Sequence, residues 1–151
     1  MKFARNIQID LEIEKERGRI LSSGSFSDDY HDFKCRMIFK LPNLEVVDVK
    51  VEINKLPKEV CRVPFDRLVG LRGVAVGRGF RQKVKKAIGG DQGCIHLVDL
   101  IHEIAQGIVA LLRKAQMTPD GKEMKDFPDG TFYGVCMGLN KGKLKVDNNE
   151  D

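Results

Sequence analysis

The sequence predicts an α+β domain: an N-terminal antiparallel sheet of about four strands packed against helices from the second half of the chain. Three observations carry this expectation. Apolar and polar residues alternate with a period of two up to about Asn54. Beyond it, apolar residues recur at helical spacing, and proline and glycine punctuate the change. These two periods are the signatures of half-buried strands and amphipathic helices.

Ile7, Ile9, Leu11 and Ile13 alternate with Gln8, Asp10 and Glu12, which predicts the first strand. Glu16-Arg17-Gly18 makes a turn, and Arg19 to Phe26 reads as a returning strand that ends in Ser/Gly/Asp-rich material. Phe33, Cys35, Met37 and Phe39 fall on one face of a third strand, so Cys35 is assigned to the core. Pro42-Asn43 turns the chain into a fourth strand, with Val47, Val49, Val51 and Ile53 on one face. Short helices are expected from Pro57 through Cys61 and from Pro64 through Leu71. Phe80, Val84 and Ala87/Ile88 mark a further helix, which Gly89 stops in the C′ manner. Leu97, Leu100, Ile101, Ile104, Ile108, Leu111 and Leu112 form the stripe of one long helix at about 94–116. Gly107 within it marks a close helix or sheet contact, since glycine otherwise costs about 1 kcal/mol there. Phe132 to Leu139 reads as a last short strand holding Cys136. Residues 1–140 form one domain in this reading, and 141–151 a flexible charged tail.

The 151 residues suffice for a core without disulfide staples, and 42% hydrophobic with 32% charged residues suits a globular protein. There is no run of 18 apolar residues and no basic-then-apolar leader, so neither a membrane span nor a signal peptide is expected and the cytoplasm is the expected compartment. Four cysteines in a reducing compartment read as core residues, ligands or reactive thiols rather than bridges. None lies in a C-x-x-C pair. The net charge of +4 is uneven: eight basic residues face one acid between Arg62 and Gly90. That segment is a solvated helix face or a surface for an acidic protein or for nucleic acid. With no tryptophan, two tyrosines and only Phe65 and Phe80 as aromatics within the basic run, base stacking has little to work with. Gly77-Arg78-Gly79 resembles half of a nucleotide-binding glycine loop but lacks the third glycine and a preceding strand.

Chemistry concentrates at Gly89-Gly90-Asp91-Gln92-Gly93-Cys94-Ile95-His96-Leu97, a glycine-rich turn leading into the long helix. Unpaired N–H groups of the first turn favour a thiolate, so Cys94 is expected with a lowered pKa. The other candidate ligands also fall where elements begin or end: His31 and Asp32 before the third strand, Cys61 near a helix start. A soft metal needs such thiolates or imidazoles to converge. The expected site is zinc or an iron–sulfur cluster on Cys94 and Cys61 with His31 or Asp32, His96 in reserve and Cys136 as an outlying fourth ligand. The alternative is a thiol-dependent enzyme with Cys94 as nucleophile, His31 as base and Asp32 orienting it. His102, mid-helix beside Glu103, reads as surface or partner-facing.

Tyr30-His31-Asp32, Ile53-Asn54 to Cys61, Leu68 to Leu71, Gly79-Phe80 and the Gly89-to-Leu97 stretch, in that order, resemble the bacterial domain-of-unknown-function family 2889 over roughly residues 5–139. The chain departs from that resemblance at Ile95, where threonine is expected. A looser similarity of architecture is to iron–sulfur cluster assembly scaffolds of the NifU type. It implies Cys61, Cys94 and Asp32 as cluster or zinc ligands, with a histidine near Tyr30-His31 where those scaffolds carry their first cysteine.

Overall fold

The computed structural model describes residues 1–115. The expected strand at 132–139 with Cys136, the tail at 141–151 and position 116 of the expected 94–116 helix lie outside the described residues. Strand β1 (Arg5–Glu14), β2 (Arg19–Asp28), β3 (Asp32–Lys40) and β4 (Glu45–Lys55) form one antiparallel meander in chain order. A 3-10 turn (Glu59–Arg62), helix α1 (Val63–Asp66) and a second 3-10 turn (Arg67–Leu71) follow, then α2 (Phe80–Ile88) and the long α3 (Ile95–Lys114). The α+β architecture is the one the two periodicities predict.

All the helices lie on one face of the sheet. Helix α3 lies over β1 and β2, the Arg67–Leu71 turn sits against β4, and α2 packs between them. The core joins Ile20, Phe26, Phe33, Met37 and Phe39 of the sheet to Leu97, Leu100, Ile101, Ile104 and Ile108 of α3. Cys35 is fully buried among them, as its place in the Phe/Met stripe predicts. Helix α3 is long and apolar enough to cross a bilayer by composition, but its stripe is the half of the core that covers the sheet. It approaches β1 closely at Gly107, where a Cβ would fall 2.5 Å from Cδ1 of Ile9 and of Leu11. This is the close approach that the glycine signals in the sequence.

Three details differ from the expectation. Val47 does not share a face with Val49: a register shift between Ile38 and Phe39 leaves Val46 buried and Val47 exposed. An extra residue in one strand does this, because it inverts the alternation beyond it. Gly89 does end α2, but in an extended conformation (φ −105°), and the left-handed residue is Gly90 (φ 77°). Strand β2 runs on past Phe26 to Asp28, through Ser27, so the Ser/Asp-rich end is strand rather than loop. This extension brings Asp28 opposite Arg5 of β1.

Candidate metal centre

The β2–β3 connection is only three residues long, and Asp28 closes it. Its Oδ1 accepts the backbone N–H of Tyr30 at 2.9 Å and of His31 at 2.8 Å. This is an Asx-type turn, in which a short carboxylate takes the place of a backbone acceptor. The backbone N–H of Asp28 in turn donates to the His31 carbonyl at 2.9 Å. The imidazole folds back onto the same carboxylate, with Nδ1 2.9 Å from Oδ1. An ionised carboxylate only accepts, so Nδ1 is the donor in this contact and Nε2 is the ring nitrogen that Asp28 does not engage.

Gly93 delivers the second imidazole. Cys94 donates its backbone N–H to Ile88 at 2.8 Å, which folds the 89–93 loop back on the end of α2. A Cβ on Gly93 would overlap the backbone of Ile88 and Gly89, so only glycine permits this return. Cys94 is the N-cap of α3, and His96 is the second helical residue. The His96 ring lies 4.2 Å from that of His31, centroid to centroid, and both rest on Phe26. Phe26 itself stacks on Phe33 at 5.2 Å, which makes a rigid apolar floor.

Arg5, the first residue of β1, completes the arrangement. Its Nε and Nη2 donate to Oδ2 of Asp28 at 3.3 and 3.2 Å, and Nη2 lies 3.2 Å from Nε2 of His96. Its guanidinium carbon sits 5.1 Å above the Phe26 ring. The Asp28 side chain is 1% exposed. Burial alone would raise its pKa, but the donors from His31, Tyr30 and Arg5 outweigh it and hold the carboxyl far below the usual range. Burial, then the neighbouring His31 and Arg5 charges, push the His96 pKa down, so its neutral form is favoured.

One ligand atom from each of Asp28, His31 and His96 lies within 4.8 Å of the others. No other trio of His, Cys, Asp or Glu meets that condition among the described residues. The structure thus brings together His31 and His96 of the expected set, and adds Asp28 rather than Asp32. Asp32 begins β3 and accepts the side-chain amide of Asn54 at 3.3 Å. Cys61 is half-buried in the Glu59–Arg62 turn. The expectation of a lowered pKa at Cys94 is corrected. Burial pushes that thiol up, and the N–H groups of Leu97 and His96 offset this only in part. A helix terminus favours a thiolate where water or a cation shares the site, and Cys94 is only 9% exposed.

One further expectation changes. His102 is half-buried, with burial lowering its pKa, and its Nε2 is buried with no partner among the described residues. No strand leads into Gly77-Arg78-Gly79, which opens α2 beside a shallow groove of about 780 Å³ against Ala105–Val109. The basic segment is divided. Arg62, Arg67 and Arg72 are engaged by Glu59, the Gln92 carbonyl and Asp48, while Arg78, Arg81, Lys83, Lys85 and Lys86 are exposed around α2.

Sequence reasoning missed Asp28 and Arg5. The available signals were an Asp three residues before a His at a strand junction, and the hairpin register. Counting outward from the turn at Gly18 sets Arg5 opposite Asp28.

Comparison with known families matches residues 7–110 to DUF2889, described as proteins of unknown function. The chain belongs to the DUF2889 family. Asp28, His31 and His96 all fall within the DUF2889 match, and Arg5 lies just ahead of it. No curated protein and no solved structure matches the chain, and the similarity to NifU-type scaffolds finds no support.

Proposed function

We propose that Asp28, His31 and His96 bind a divalent transition metal ion, zinc in the first instance. The observation that carries this reading is the convergence of three ligand atoms within 4.8 Å, from the end of β2, the β2–β3 turn and the start of α3. Two imidazoles and a carboxylate are a donor set that zinc accepts readily, and they suit it better than they suit an iron–sulfur cluster. Neutral His96 supports the reading, because a metal needs an unprotonated nitrogen. Three protein ligands leave a coordination position open, as in sites that polarise a bound water or carbonyl rather than purely structural ones. In this reading Cys61 and Cys94 are not ligands, and the protein works in a reducing compartment such as the cytoplasm.

A second reading rests on the Asp28–His31 bond. A carboxylate holding Nδ1 leaves Nε2 poised as a base, which suits acid–base catalysis without a metal. Cys94 fits the nucleophile's role poorly, being buried with a raised pKa.

Elemental analysis of untagged protein purified under reducing conditions separates these readings. The metal reading predicts about one zinc ion per chain, lost in His96→Ala and kept in Cys94→Ser. A protein that stays empty when offered zinc at neutral pH contradicts it and leaves the acid–base reading.

A further inference from the structure

We infer that Arg5 is a resident cation that competes with the metal for this site, so that metal binding requires its guanidinium to withdraw. The inference rests on the metal reading above and concerns how that site is regulated.

Arginine has donors and no acceptor. The contact between its Nη2 and Nε2 of His96 therefore uses the imidazole lone pair. The contacts of Nε and Nη2 with Oδ2 of Asp28 use a second set of lone pairs. These are donor electrons that a metal would take from the same two residues. Charge adds to the conflict, since a dication and a guanidinium would be held by one carboxylate. The metal and Arg5 are thus alternative occupants of one site.

The geometry gives Arg5 somewhere to go. Its side chain is 40% exposed, whereas Asp28 beneath it is 1% exposed. Arg5 begins edge strand β1, so its side chain can swing outward without opening the sheet interior. His31 stays oriented meanwhile, because its Nδ1 and the turn N–H groups use Oδ1 and not Oδ2. The two carboxylate oxygens divide the work: one holds the turn and His31, the other holds a displaceable cation. In the absence of metal, Arg5 keeps the buried carboxylate paired.

Zinc titration against a chromophoric chelator at neutral pH tests this on the full chain, comparing wild type with Arg5→Met and Arg5→Lys. Methionine keeps a stem over Phe26 and removes the charge; lysine keeps the charge without the fork. Arg5→Met is expected to bind zinc on the order of tenfold more tightly than wild type, with Arg5→Lys between them. Circular dichroism identifies a variant that has not folded, in which case the lysine variant alone decides by its direction. Wild type that binds zinc while neither folded variant binds more tightly overturns the role of Arg5 and leaves the metal site standing. Failure of all three proteins to bind zinc overturns the metal reading itself, and this inference with it. Binding by Arg5→Met alone is the strongest support for competition.

Discussion

Oδ1 of Asp28 stands 2.9 Å from Nδ1 of His31 while also accepting two backbone N–H groups of the same turn. One buried oxygen therefore closes the β2–β3 connection and fixes the tautomer of the imidazole beside it. Asp32, the aspartate that opens β3, does neither.

This predicts a sharp contrast between two like substitutions. Asp28→Asn should cost about 1–3 kcal/mol, since it weakens charge-assisted acceptors in a buried place and sets an amide N–H₂ against Arg5 or the turn. Asp32→Asn should stay within about 0.5 kcal/mol, as a partly exposed position with one long hydrogen bond. Urea denaturation of the two variants checks this. Equal losses would contradict the assignment of the turn to Asp28.

The loop before α3 gives a second contrast. At Gly93 an added methyl meets the Ile88 and Gly89 backbone, which cannot yield cheaply. At Gly107 it meets only the mobile Cδ1 atoms of Ile9 and Leu11. Gly93→Ala should therefore cost about 2–4 kcal/mol and displace His96. Gly107→Ala should fall within about 1 kcal/mol of wild type, because the gain in helix propensity offsets part of the crowding. Thermal and urea unfolding of both proteins measure the difference.

Cys35 sets a pH dependence. Burial pushes its thiol up from 9.0 to about 12. The folded state thus holds the proton more tightly than the unfolded chain, whose Cys35 ionises above its ordinary value. The stabilisation is complete below pH 9 and is lost as pH rises from there towards 12, at up to about 1.4 kcal/mol per pH unit. Denaturation between pH 9 and 11 should show a steeper fall for wild type than for Cys35→Ala. Parallel slopes would contradict the burial argument.

The fold was legible because its two halves have different periods. The stripe from Phe33 to Phe39 and the one from Leu97 to Leu112 each name the face they bury. Val47 was misplaced because a bulge leaves no mark on an alternating valine run. The site was half legible. His31 and His96 stand out as rare residues at element ends, but Asp28 sits in a serine-rich stretch where an aspartate reads as turn chemistry. Arg5 becomes visible only through pairing register. Cys94 misled for a physical reason: helix polarity can be read from sequence, whereas the burial that opposes it cannot.

The central claim is that two imidazoles and the Asp28 carboxylate, without a thiolate, hold the metal. X-ray absorption spectroscopy of the zinc-loaded protein tests it most directly, because zinc–sulfur and zinc–nitrogen/oxygen distances are well separated. The account predicts a shell of nitrogen and oxygen at about 2.0–2.2 Å and no sulfur, with the signal lost in His31→Ala and His96→Ala. A sulfur shell at about 2.3 Å would contradict it and return the site to Cys61 and Cys94.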